Sequence, residues 1–131
     1  MKEEELQALM AYRLLRAAET LEEARFMQGE EHWNACANRL YYAAFYAVSA
    51  LLVQGGYATA KHSGVKALFN QHYIKPGILE KENGRLYNRL FDLRQEGDYI
   101  DFVFLDAETV APLVGETAQF IEKIRSLITK L

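Results

Sequence analysis

WNACANRLYYAAFYAVSALLVQGG, residues 33–56, is the stretch that decides the fold of this chain. Small and apolar residues recur along it at steps of three and four, which is the spacing of one helix face: Trp33, Ala37, Leu40, Ala44, Ala47 and Leu51. Gly55 and Gly56 end the helix. A second stripe runs along the opposite side at the same steps: Asn34, Asn38, Tyr42, Phe45 and Ser49. A helix that is apolar on both sides requires burial on both sides.

Two explanations of the second stripe stay open. The helix lies at the centre of the molecule and is wrapped by its own neighbours, or the stripe forms a homodimer interface, since symmetric dimers are the commonest oligomers. In the dimer the polar atoms of Asn38, Tyr42 and Ser49 would form hydrogen bonds within or across the interface.

The rest of the chain has helical spacing as well. Four further helices are predicted: one ending near Gln28-Gly29, a short one around Val65 to Tyr73, one carrying Leu86, Leu90 and Leu93, and one from Val110 to Leu131. Thr109 is a candidate N-cap for the last, which would place Pro112 in its first turn. Long helices with short connections predict an all-α, antiparallel up-and-down bundle of about five helices, forming a single domain over residues 1–131.

Composition narrows the class of protein. Half of the 131 residues are apolar, and the net charge of −3 disfavours a broad basic surface for nucleic acid. Cys36 is the only cysteine, and the acidic N-terminus does not resemble a secretory signal, so a cytoplasmic protein is expected. The longest apolar run, from Leu40 to Val53, is too short to span a bilayer, and no membrane association is expected.

Arg94 is the first candidate functional residue. Projected as a helix, residues 85–99 have one polar face and one apolar arc, and Arg94 points into the arc between Leu90 and Phe91. A charge in that position needs a partner, because an unpaired buried charge costs several kcal/mol. Asp98, four residues later, is the nearest candidate.

Two roles for Arg94 and Asp98 remain open. They form a structural ion pair, or the guanidinium binds an anion such as a phosphate, because its geometry suits both partners. Tyr99 beside them either stacks on a base or covers the core, and the core is the favoured interpretation.

The remaining titratable residues give weaker signals. His62 enters the third helix and is interpreted as a surface capping group, although a histidine can also exchange protons near pH 7. His32 and Cys36 share one helix face but have no further ligands at metal-binding spacing, so neither a metal nor another cofactor is expected, and Cys36 is interpreted as a core thiol.

Three segments together resemble the HEPN domains of the small stand-alone prokaryotic type. They are NRLYYAAFY at residues 38–46, KHSG at 61–64 and RQEGDY at 94–99. The resemblance implies a dimeric helical bundle, often paired with a minimal nucleotidyltransferase in systems like toxin–antitoxin pairs. Many members are metal-independent endoribonucleases that use an arginine and a histidine four to six residues later. Arg94 matches the arginine, but residues 99–101 read Tyr-Ile-Asp and contain no histidine, giving an Arg-x3-Asp-Tyr variant of the motif.

The leading hypothesis is a dimeric binding module that works with a nucleotidyltransferase. Its cleft would hold a nucleotide or RNA phosphate and be lined by Arg94, Asp98, Tyr99, Asn38, Tyr42 and His62. One alternative is an endoribonuclease toxin, for which Arg94 is the catalytic candidate of the motif and His62 or Tyr99 is the local candidate for the general acid/base. The other is a structural interaction protein in which Arg94 and Asp98 only stabilise the bundle or the dimer.

Overall fold

The computed structural model describes residues 2–130 and confirms the all-α bundle. The five helices are α1 (Glu3–Gly29), α2 (Trp33–Gly55), α3 (His62–Phe69), α4 (Lys81–Tyr99) and α5 (Ala107–Lys130). One π-helical turn, Asn70–Ile74, continues α3 as far as the bend before Pro76 and Gly77. Within the described part of the chain, no helix is long and apolar enough to cross a membrane.

Helix α2 lies at the centre and packs against the four other helices. Its completely buried side chains include Leu40, Tyr41 and Leu51. The chain's own elements also cover much of the second stripe: Ser49 is buried, whereas Tyr42 and Phe45 are half-buried. The apolar character on both sides of α2 is therefore largely accounted for by the other helices and by the segment after α4.

Asn34 holds the connection between α4 and α5 against the start of α2. Its amide nitrogen donates to the carbonyl oxygens of Gly97 at 3.3 Å and Val103 at 2.9 Å, and its amide oxygen accepts from the Leu105 N–H at 2.8 Å. Buried and half-buried backbone groups need such partners outside regular structure. This one side chain fixes the loop that follows the candidate site.

The expected start of α5 was wrong. The helix begins at Ala107, and the carboxylate of Asp106 accepts the Thr109 N–H at 2.9 Å, so Asp106 rather than Thr109 is the cap. Pro112 consequently lies inside the helix instead of in its first turn. Its missing N–H leaves the helix without one interior hydrogen bond.

Candidate functional site

Arg94 is buried as its helical position predicts, with only 7% of its surface exposed. Its Nη2 atom donates to two phenolic oxygens, those of Tyr42 and Tyr99, each at 2.9 Å. The first contact joins α4 to α2, and the second joins Arg94 to the end of its own helix. Hydroxyl oxygens thus provide the partners that a buried guanidinium requires.

Three aromatic rings surround the same guanidinium. Its central carbon lies 5.4 Å from the ring centroid of Tyr41, 5.3 Å from that of Tyr42 and 5.1 Å from that of Tyr99. Each distance is within the range of a cation–π interaction. We call Arg94, Tyr41, Tyr42, Tyr99 and His62 the Arg94 cluster.

Asp98 is a partner of Arg94, as expected, but not its main one. Its Oδ2 atom lies 3.4 Å from the Arg94 Nε and accepts a hydrogen bond from the Asn38 side-chain amide at 2.7 Å. Among the residues that the structure describes, the buried Nε of Arg94 has no hydrogen-bond acceptor with good geometry. Because Asp98 remains partly exposed, the ion pair by itself contributes little to stability.

His62 joins the cluster, and its interpretation as a surface cap was wrong. It makes no capping hydrogen bond at the start of α3, and its Nδ1 lies 2.8 Å from the hydroxyl of Tyr41. The centroid of its ring lies 4.6 Å from the ring centroid of Phe45 and 5.7 Å from that of Tyr42. Partial burial, with a smaller contribution from the charge of Arg94, lowers the pKa of His62 below 6.5.

Tyr99 contradicts the expectation that it covers the core. It is 65% exposed, and only its hydroxyl and one ring face are engaged by Arg94. Its place at the last residue of α4 explains this exposure, because the chain turns away into the loop directly afterwards. Tyr99 is the solvent-facing wall of the Arg94 cluster.

The structure brings all six residues expected at the site to the junction of α2, α3 and α4: Asn38, Tyr42, His62, Arg94, Asp98 and Tyr99. The sequence reasoning missed Tyr41, which contacts both His62 and Arg94 from a fully buried position. Burial raises the pKa of Tyr41 to about 12, so its hydroxyl keeps its proton at neutral pH. Tyr41 follows Ala37 by four residues and so lies on the same side of α2 as the first stripe. This spacing was the signal in the sequence that could have found it.

Other candidates lie outside this cluster. Cys36 is fully buried, and desolvation raises its pKa to about 11, which is the behaviour of a core thiol. His32 is exposed before α2. In the described residues no three His, Cys, Asp or Glu side chains converge to hold a metal ion.

Comparisons with known proteins agree with the resemblance of the three segments. A family model described as "HEPN domain" matches residues 10–127. A "UPF0332 protein" of Thermotoga maritima is 39% identical over 127 residues, covering 97% of this chain and 96% of that protein. Two proteins of Methanocaldococcus jannaschii, named "Putative toxin MJ0605" and "Putative toxin MJ0142", are 27% and 30% identical, covering 98% and 88% of this chain and 92% and 79% of their own lengths.

Proposed function

This chain belongs to the HEPN domain family, and on that premise we propose that it is a toxin-like module that binds a nucleotide or RNA phosphate through Arg94. The observation that carries the proposal is the buried guanidinium of Arg94, held by two hydroxyl oxygens and covered from solvent by the exposed Tyr99. The relatives named as toxins support a role of this kind.

Tyr99 gives the phosphate a route to Arg94. The Tyr99 hydroxyl that accepts a hydrogen bond from Nη2 is uncharged, and the Tyr99 ring is exposed to water. A phosphate oxygen is a stronger acceptor for a guanidinium than a phenol, because the hydrogen bond is then charge-assisted at both ends. Binding would displace Tyr99 and leave Tyr42 to orient the guanidinium.

Local charge favours an anion on the α2–α3 side of the cluster. The Nζ of Lys66 lies 4.2 Å from the ring centroid of Phe91, and the guanidinium of Arg39, which also forms an ion pair with Glu23, lies 5.3 Å from that of Tyr42. Lys61 is exposed immediately before His62. Although the chain is acidic overall, these cations supply a small basic region of the kind that positions a phosphate.

Two matched substitutions on α4 test the proposal. Arg94→Met removes the buried charge, whereas Arg89→Met removes an exposed one from the same helix. Titrating fluorescent single-stranded RNA of about ten nucleotides and ATP should show binding weakened about tenfold or more by Arg94→Met and little changed by Arg89→Met, as the loss of a charged hydrogen bond predicts. Equal binding by the wild type and Arg94→Met would refute the proposal.

The proposal also includes two protein partners. We propose a homodimer, for which the parts of Tyr42 and Phe45 that the chain's own helices leave uncovered are the supporting surface, and a minimal nucleotidyltransferase, which the family resemblance implies. Sedimentation equilibrium tests the first, and a monomer at micromolar concentration would contradict it. Sequencing the adjacent reading frame and co-expressing its product with this chain tests the second, with a nucleotidyltransferase that co-purifies as a stable complex as the expected outcome.

His62 favours a second candidate function, metal-independent RNA cleavage. The motif lacks its histidine, but α3 supplies one whose ring contacts Tyr41 and Tyr42, the same residues that Arg94 contacts. In the tautomer whose Nδ1–H donates to Tyr41, Nε2 accepts the proton of a ribose 2′-hydroxyl. The 2′-oxygen then forms a bond to phosphorus, and the bond to the 5′-oxygen breaks, with the leaving oxygen taking a proton from water.

The lowered pKa of His62 keeps the ring neutral, and so basic, at pH 7. RNA cleavage by the purified protein in EDTA should fall about 10²–10⁴-fold on His62→Gln, the usual value of acid–base catalysis. His32→Gln, which changes an exposed histidine, is the matched control. RNA binding without any cleavage would eliminate this candidate and leave the binding module.

A further inference from the structure

The segment that connects α4 to α5 exposes four large apolar side chains in sequence. Their exposed fractions are 65% for Tyr99, 55% for Ile100, 92% for Phe102 and 85% for Phe104. Burying a phenylalanine side chain stabilises a folded protein, and neither phenylalanine gains this stabilisation within the chain. Contiguous exposed apolar surface of this kind marks an interaction site. We call residues 99–104 the apolar segment.

The fold holds the apolar segment in place. Hydrogen bonds from the Asn34 side chain fix the backbone at Gly97, Val103 and Leu105, on both sides of the two phenylalanines. Phe102 has a left-handed backbone with φ of +64°, a conformation that is strained for a residue other than glycine. The surroundings therefore impose this conformation, and it directs Phe102 into solvent.

Acidic residues surround the apolar segment. Residues 95–122 contain seven acidic residues and no lysine or arginine. Asp101 lies within the segment and is exposed, and Asp106 and Glu108 follow it on the surface. Across the loop, Glu31 lines the same surface cavity of about 410 Å³ as Phe104. This side of the Arg94 cluster is therefore apolar and anionic, in contrast to the side that carries Lys61 and Lys66.

We infer that the apolar segment is the docking surface for a partner protein that presents an apolar face bordered by lysine or arginine. Complementary charge around an apolar centre is the usual arrangement of a protein interface. RNA would be repelled by the carboxylates, and a second copy docking through the same segment would bring like charges together. The inference rests on the proposed function in one respect: because Tyr99 belongs to both surfaces, a docked partner also closes the route to Arg94.

A charge-patterned peptide is the probe for this surface. It is a fluorescein-labelled 18-residue peptide with leucine and lysine at amphipathic helical spacing, and its counterpart has glutamate at every lysine position. The lysine peptide should bind the wild type, more weakly at high salt, and the glutamate peptide should not bind. Phe102→Ser/Phe104→Ser should weaken binding of the lysine peptide about tenfold or more, because aromatic anchors contribute much of the binding energy of an interface. Tyr12→Ser/Leu15→Ser, which removes exposed apolar side chains from α1, should not.

A second pair of variants separates this inference from the proposed function. Arg94→Met should weaken RNA binding and leave binding of the lysine peptide unchanged. The Phe102/Phe104 double variant should weaken binding of the lysine peptide and leave RNA binding unchanged. If RNA binding is insensitive to Arg94→Met while the peptide result holds, the proposed function fails and the docking surface stands. If the double variant loses its helical circular dichroism, Asp101→Lys provides an independent variant. It should weaken binding of the lysine peptide.

Four outcomes would overturn the inference. The first is that the lysine peptide binds the Phe102/Phe104 double variant as tightly as the wild type. The second is that the Tyr12→Ser/Leu15→Ser control loses peptide binding to the same extent as the double variant. The third is that RNA binding is abolished by the double variant, which would make the segment an RNA surface. The fourth is that a homodimer dissociates only in the double variant, in which case a second copy is the occupant.

Discussion

The Nδ1 atom of His62 lies 2.8 Å from the hydroxyl of Tyr41, although the two residues are 21 positions apart and belong to different helices. Tyr41 also lies beneath the guanidinium of Arg94. A single buried tyrosine thus connects the histidine of α3 with the arginine of α4. The Arg94 motif contains no histidine of its own. Helix α3 supplies one, His62, which contacts the same tyrosine as Arg94.

Stability should depend on pH through His62. Burial, and less so Arg94, lowers the pKa of the folded state below the value of 6.5 that applies to the unfolded chain. Above pH 6.5 both states are neutral and the contribution of His62 is fully present. As the pH falls below 6.5 the unfolded state takes up a proton first, so the free energy of unfolding decreases.

Urea denaturation between pH 5 and pH 7.5 measures this effect. His62→Gln should flatten the decrease below pH 6.5, whereas His32→Gln should preserve it. A wild-type profile that rises as the pH falls through this range would have the wrong sign for a desolvated histidine.

Cys36 should be unreactive in the folded protein. Its pKa is raised from 9.0 to about 11 by burial, so its thiolate fraction at pH 8 falls roughly 100-fold. Reaction with a disulfide reagent should therefore be slower by at least about that factor than in denaturant. Stopped-flow absorbance checks this, and equal rates in the two conditions would contradict the burial of the thiol.

Replacing two buried threonines by valine should stabilise the bundle. Thr20 on α1 and Thr117 on α5 are completely buried, and neither Oγ1 atom has a hydrogen-bond partner among residues 2–130. An unsatisfied buried hydroxyl costs about 1–3 kcal/mol, and valine has nearly the same shape. Each substitution should raise the free energy of unfolding by about 1 kcal/mol in urea denaturation. Unchanged or lower stability of both variants would mean that the hydroxyls are hydrated or bonded in solution.

The helices were predictable from the sequence because apolar spacing is a local property. Gly55, Gly56 and the steps of three and four along α2 determine where that helix runs, whatever it packs against. Arg94 was located by the same reasoning, since its angle on α4 depends only on its neighbours in the chain. Asp98 was found as well, because it is four residues away on the same helix.

The partners from other helices were not predictable in the same way. Tyr42 was expected in the cleft but not as the hydrogen-bond partner of Arg94, and Tyr41 was not expected there, because both reach Arg94 only through the packing of α2 against α4. The exposure of Tyr99 depends on where α4 stops, and the start of α5 depends on Asp106 competing successfully with Thr109 as the cap. Helix ends are decided by small differences between neighbouring residues, so the sequence predicts them less precisely than it predicts the helices themselves.

The two tyrosine hydroxyls that bind Arg94 should differ in their contribution to stability. Tyr42 is half-buried between α2 and α4, so in Tyr42→Phe the Nη2 atom loses an acceptor that water replaces poorly, at a cost of about 1.5–3 kcal/mol. Tyr99 is 65% exposed, so in Tyr99→Phe water takes the place of the hydroxyl, and the cost should stay below about 1 kcal/mol.

A double-mutant cycle with Arg94→Met isolates these contacts. In the Arg94→Met background Tyr42→Phe should become nearly neutral, giving a coupling energy of about 1.5–3 kcal/mol by urea denaturation. Tyr99→Phe should show a smaller coupling energy. If the two phenylalanine variants are equally destabilised, or if neither couples to Arg94, Tyr42 does not anchor the guanidinium. Tyr99 would then not be the exchangeable partner through which a phosphate gains access.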